Sequence, residues 1–280
     1  MAQKTAVVTG GTSGLGEAAS VALGQAGWRV LIVGRDPERG AAVAARAGNG
    51  SRFVAADLFS LADVRRLAAE LRELAPRLDA LINNAGGVFS KGEPTVDGLE
   101  RTFALNVAAP LALTEALLEP LAAANGRVIN VVTGLAPSMK TRLDQLVGKD
   151  ASGGMFGYAR NKLALLALTL EEQARFGDRG ITFVALHPGI IPTTRFGHTM
   201  TGFNPFTTIG PALAKLFRIG VTEEVAASRY VKLACDPVEG AGYYYEGELR
   251  AVPKQLGDAA FVRSVWELAV SHTRSERAAA

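Results

Sequence analysis

The chain has 280 residues, of which 48% are hydrophobic and 20% charged, and its formal net charge is only +3. That balance leaves enough apolar side chain for a large core and excludes wholesale disorder; with acids and bases mixed along the chain, it also excludes a nucleic-acid stripe or a basic membrane-surface helix. The single cysteine, Cys235, excludes an internal disulfide, no apolar run approaches the ~20 residues of a bilayer span, and Met1-Ala2-Gln3-Lys4 leaves no room for a secretory leader, so a soluble cytoplasmic protein is expected.

Short β-branched runs alternate with Ala/Leu-rich segments. Strands are predicted at 5–9, 29–33, 52–55, 80–83, 127–132, 181–186 and 242–246. Helices are predicted at 15–26, 37–47, 61–75, 99–124, 156–176 and 223–233, with Pro37 in a first turn, Ser60 as a cap and a bend near Pro110. The strands are apolar along their whole length, as in a sheet covered by helices on both faces. The expected fold is therefore α/β, a single-domain Rossmann-type doubly wound parallel sheet over residues 1–270. Residues 188–220 form one long irregular stretch, the kind of loop that often serves a site, and 271–280 read as a flexible polar tail.

The first strand runs into Thr9-Gly10-Gly11-Thr12-Ser13-Gly14-Leu15-Gly16, which then opens a helix. Glycines there permit positive φ and close backbone approach, and the N–H groups of a helix start attract a pyrophosphate. A ligand-free glycine turn is the bland alternative, but a strand-turn-helix at the first junction is where a dinucleotide binds.

The spacing of Gly10, Gly14 and Gly16 resembles the short-chain dehydrogenase/reductase family, and the resemblance extends along nearly the whole chain. Asp57 follows the third strand, Asn83-Asn84-Ala85-Gly86 the fourth, and Asn106 lies in the long helix. Tyr158-x-x-x-Lys162 and Pro188-Gly189-Ile190-Ile191-Pro192-Thr193 complete the series. The resemblance implies cofactor contacts at Gly10, Thr12, Ser13, Gly14, Leu15, Gly16, Asp57, Leu58, Asn84, Ala85 and Gly86. It implies further contacts at Tyr158, Lys162, Pro188, Gly189, Ile191 and Thr193. It also implies a homo-oligomer, formed through the helices at 99–124 and 156–176. The later segments look like the branch of retinol dehydrogenases and light-dependent protochlorophyllide reductase, although Ile190 and Ile191 stand where the latter carries a cysteine.

The second strand ends at Gly34, where an NAD-preferring protein typically places an acid, and Arg35 and Arg39 follow. An arginine fork suits a 2′-phosphate, so NADP(H) is the expected cofactor. Tyr158 and Lys162 share a helix face, and an ammonium there is expected to lower the tyrosine pKa. Tyr158 then exchanges a proton with a carbonyl or alcohol oxygen. Thr133 stands where the family usually has serine; its hydroxyl has the same bonding capacity but its methyl restricts χ1. Ser138 and Ser152 are loop alternatives. Asn161 stands where a serine commonly precedes the lysine. Asn106 is expected to order a water near Lys162. His187 reads as structural, and no metal cluster is apparent. Apolar residues on the two long loops, among them Met139, Leu143, Met155, Phe196 and Phe206, make a lid over an apolar carbonyl or alcohol substrate, or ordinary packing. Reduction of a conjugated C=C bond and a non-catalytic dinucleotide sensor are the two alternative functions.

Overall fold

The computed structural model describes residues 3–90, 94–136, 140–147, 151, 153–191, 220–238 and 240–274. Strands β1 (Thr5–Thr9), β2 (Arg29–Gly34), β3 (Arg52–Ala55), β4 (Ala80–Asn83), β5 (Arg127–Val131), β6 (Thr182–His187), β7 (Gly242–Tyr245) and β8 (Glu248–Arg250) form one sheet. Their spatial order is β3-β2-β1-β4-β5-β6-β7-β8. β1 through β7 pair in parallel, and β8 folds back antiparallel on β7 with Leu249 opposite Tyr244. The order reverses between β1 and β4, which opens the crevice where ligands bind in such sheets.

The described helices are α1 (Gly14–Gln25), α2 (Pro37–Ala47), α3 (Leu61–Leu74), α4 (Arg101–Phe103), α5 (Ala109–Ala116), α6 (Leu118–Ala124), α7 (Gly154–Phe176), α8 (Glu223–Cys235) and α9 (Ala259–Arg274). Successive strand residues feed opposite cores. Val7, Leu31 and Val33 pack with α3, α5 and α6, whereas Val8, Val30 and Ile32 pack with α1, α2 and α8. That two-sided burial is why the strands carry no polar alternation.

The segment expected as one long helix is broken twice. Ala104–Ala108 form a π turn, in which the Ala109 N–H bonds the Ala104 carbonyl. Pro110, the expected bend, lies just beyond it and has no N–H to continue the α ladder. The sharp bend, 62°, comes later, between Ala116 and Leu118. Its cause is Pro120, whose ring in a continuous helix would clash with the carbonyl of Ala116, four residues earlier. Two elements were not anticipated. One is β8, a three-residue strand of Glu248, Leu249 and Arg250. The other is α9, whose stripe of Val262, Val265, Trp266 and Ala269 is buried on α7. It begins after Asp258, whose carboxylate accepts from the Ala260 and Phe261 N–H groups. It also runs four residues into the expected tail; Thr273 is buried and its carbonyl accepts from Arg65 at 3.0 Å.

Candidate active site

The glycine turn crosses the C-terminal end of β1. Gly10 and Gly14 both take positive φ, and the space in front of Gly14 is open: a Cβ there would touch nothing. Gly16 is needed for a different reason, since a side chain would collide with the Gly10 carbonyl. Ser13 stands at the N-cap of α1, yet its side chain makes no capping bond. Asp36, Ser60 and Thr222, by contrast, each accept from their own helix start. The first N–H groups of α1 are thus left for a ligand rather than closed by the protein, and the donor set fits a pyrophosphate.

Across the crevice, Asn84 ties the two loops together. Its amide donates to the Thr9 carbonyl at 2.9 Å and its oxygen accepts from the Tyr230 hydroxyl at 3.0 Å. The Ala85 N–H is held by the Thr9 hydroxyl at 3.0 Å. The Asn84 side chain is therefore a brace for the crevice. Tyr230, on α8, is the buried partner that no local pattern marked. Leu58, Ala85 and Leu105 meet beside Thr9, packed with no room between them for a ligand. Asp57 is exposed, its carboxylate accepting from Phe59 N–H at 3.1 Å.

At the end of β2, a side chain at Gly34 would lie 2.6 Å from the Thr12 methyl, so glycine is demanded by packing as well as by any ligand. Asp36 caps α2 and also pairs with Arg39 at 3.3 Å in an exposed ion pair. Arg35 remains exposed, 6.0 Å from the Phe59 ring centre.

At the other end of the crevice, Tyr158 and Lys162 sit on the buried face of α7 with 6% and 2% of their surface exposed. The Lys162 ammonium lies 5.8 Å from the Tyr158 ring centre and donates to the Val131 carbonyl at 2.7 Å, where β5 ends. Burial drives the Lys162 pKa down to about 7. Burial also raises the Tyr158 pKa, against the expectation that the lysine would lower it. Desolvation disfavours the phenolate, and that burial is the cause of the shift. Tyr158 is consequently protonated at neutral pH.

Two residues beyond Val131, Thr133 is half-buried, and its hydroxyl oxygen accepts weakly from the Leu135 N–H at 3.4 Å. Among the described residues Thr133 donates to nothing, so its proton is available to a substrate oxygen. Asn106 lies in the π turn, its amide bonded to the Gly87 and Thr102 carbonyls at 3.1 and 2.8 Å. A Cβ on Gly86 would lie 2.8 Å from the Asn106 oxygen and 3.0 Å from Lys162 Nζ, so these three residues converge. Asn161 turns back to the Gly157 carbonyl. His187 is buried against the Tyr245 ring at 4.6 Å, and burial lowers its pKa to about 4. Pro188 is placed by Arg229, which donates to its carbonyl at 2.5 Å, and Gly189 has positive φ beside the same guanidinium. Ile191 follows at the edge of the described residues, and Thr193, Ser138, Ser152, Met139, Phe196 and Phe206 lie outside them. Among the described residues, no group of His, Cys, Asp or Glu is arranged to hold a metal ion.

The sequence matches the short chain dehydrogenase family over residues 4–201. It is 34% identical, over 94% of this chain and 90% of the other, to a Streptomyces protein provisionally named as a daunorubicin C-13 ketoreductase. Human retinol dehydrogenase 13 is 32% identical over 94% of this chain and 82% of its own. Among solved structures, the Pseudomonas aeruginosa RhlG/NADP active-site complex superposes with a TM-score of 0.70 at 28% identity, covering 88% of this chain and 96% of that one. The glycine turn, the Asn-Asn-Ala-Gly brace and the buried Tyr158–Lys162 pair thus carry the same assignment as the whole-chain similarity: the chain belongs to the short-chain dehydrogenase/reductase family, in its retinol dehydrogenase-like branch.

Proposed function

We propose that this protein is an NADP(H)-dependent oxidoreductase that reduces a carbonyl of an apolar small molecule, or oxidises the corresponding alcohol. The observation that carries the reading is the burial of Tyr158 and Lys162 on one face of α7, with the lysine held on the last carbonyl of β5. A surface tyrosine and a solvated lysine would not be buried together at that cost.

The uncapped start of α1 and the open space at Gly14 hold the pyrophosphate. A bound nicotinamide supplies or accepts the hydride. Tyr158, protonated at neutral pH, gives its proton to the carbonyl oxygen during reduction. Thr133 donates a hydrogen bond to the same oxygen, which stabilises the charge that develops there. Lys162, whose pKa lies near 7, replaces the proton that the tyrosine gives up. Arg35 reads the phosphorylated ribose, since no acid ends β2 to repel a phosphate. Relatives solved as NADP or NADPH complexes accord with that choice.

The apolar substrate is supported by the surface. Large exposed hydrophobics include Leu135, Met155, Phe156 and Ile190, each within three residues of Thr133, Tyr158 or Gly189. Relatives are named as a retinol dehydrogenase and, provisionally, as a daunorubicin C-13 ketoreductase. Tyr158→Phe should lower turnover of a ring ketone by at least a hundredfold while NADPH binding, followed by fluorescence, stays within about twofold. Unchanged turnover in that variant would exclude Tyr158 as the acid and with it this mechanism. Saturated-ketone product from a conjugated enone would instead favour reduction of the C=C bond.

A further inference from the structure

Arg101 stands in the first turn of the segment Arg101–Ala116, where a cation opposes the helix dipole. Its guanidinium lies 4.4 Å from the ring centre of Phe59 and 5.5 Å from that of Phe89. The two rings meet edge to face at 5.4 Å. Arg35, arriving from the end of β2, lies 6.0 Å from the same Phe59 ring. Three loops, after β2, β3 and β4, thus bring two arginines to one aromatic platform at the adenosine side of the crevice.

Neither arginine has a carboxylate partner among the described residues, in contrast to Arg39, Arg46, Arg66, Arg175 and Arg229. Three acids beside these arginines or Phe59 in the chain are already engaged. Glu100 accepts from Thr102 and the Phe103 N–H, Asp57 accepts from the Phe59 N–H, and Asp36 is held by Arg39. Sharing one ring at these distances places the two guanidinium carbons no more than about 10 Å apart. A phosphate bridging two arginines through ordinary charge-assisted bonds holds them about 8 Å apart, a shift that two long side chains make without backbone movement.

We propose that Arg101 is a second specificity-determining residue for the cofactor's 2′-phosphate, clamping it together with Arg35 across Phe59. The proposal rests on the reading of the cofactor as phosphorylated. Phe59 and Phe89 hold the second cation in place before the ligand arrives, which lowers the ordering needed on binding. The anion then offsets both the repulsion between the two arginines and the unfavourable placement of Arg101 at a helix start.

The test is the dissociation constant of the full-length protein for NADPH and for NADH, measured by quenching of protein fluorescence. Arg101→Gln should weaken NADPH about tenfold or more and leave NADH within about twofold, with Arg101→Lys intermediate because it keeps the charge and loses the fork. Equal weakening of both nucleotides would overturn the proposal, since Arg101 would then merely support the adenine pocket through Phe59. No change in either would overturn it as well. If Arg35→Ala erases the preference for NADPH while Arg101→Gln keeps it, the clamp fails and the NADP(H) reading stands. If the unmodified protein binds both nucleotides equally, the NADP(H) reading itself fails and takes the clamp with it.

Discussion

Gly86 shows how much chemistry depends on a missing side chain. Its Cα faces the Asn106 amide oxygen and the Lys162 ammonium, and a methyl group would lie at or inside contact distance of both. Its φ is not in the left-handed region, so alanine there leaves the backbone unstrained. Gly86→Ala should therefore cost about 1–3 kcal/mol of stability through overpacking and lower kcat about ten- to a hundredfold as Lys162 is displaced; steady-state kinetics and calorimetry on the same sample check both halves. The motif residues were legible because their spacing is local: Lys162 comes four positions after Tyr158, and Gly16 six positions after Gly10. The direction of the Tyr158 shift was not legible, because it depends on how deeply α7 is buried. Nor was Arg101, since a helix-start arginine looks solvated until Phe59, 42 positions away, is placed beneath it.

At the scale of elements, α7 carries a second buried charge. Glu172 is 1% exposed and accepts from the Asn130 amide at 3.1 Å, and Asn130 in turn accepts from Asn83 at 2.8 Å. Burial raises its pKa to about 8, with the Glu115 carboxylate adding to the effect. A raised folded-state pKa means that the folded protein holds a proton which the unfolded chain releases. The associated stability is full below about pH 4.5 and is lost as pH rises through 8. Glu172→Gln should flatten that loss: between pH 5 and pH 9 the melting temperature of the parent falls more than that of the variant, a difference on the order of 1–2 kcal/mol at the alkaline end. Sequence periodicity placed α7 correctly but left the burial of Glu172 unread, because a single helix does not reveal what covers its last two turns. Asn130 of β5 and Glu115 of α5 lie on the Glu172 side, and α9 packs on the neighbouring Arg175 and Phe176. The signals of α9 were present in the chain, a capping Asp258 and apolar residues at 262, 265, 266 and 269, but its partner surface appears only once α5 and α7 are packed. The break before α6 was legible as a proline effect and was assigned to the wrong proline.

Over the whole molecule, α9 packs across parts of α5 and α7. Trp266 packs beside Phe176 at 6.0 Å and beneath the Arg175 guanidinium at 4.8 Å, and Arg274 pairs with Glu115 on α5. Trp266→Ala should cost about 3–5 kcal/mol of unfolding free energy, measured by chemical denaturation, and expose the apolar faces of α5 and α7 to a hydrophobic dye. An unaltered denaturation midpoint would show that α9 is only loosely docked. The two ends of the sheet differ in a way that bears on solubility. β3 is flanked by α2, whereas the far end is β8, only three residues long, with the charged Glu248 and Arg250 on either side of Leu249 and all three exposed. A short charged strand running against its neighbour is a poor template for another chain. The β7–β8 hairpin therefore acts as a stop that keeps an otherwise extendable, seven-strand parallel array from recruiting a second molecule into fibrous aggregates when the protein is concentrated.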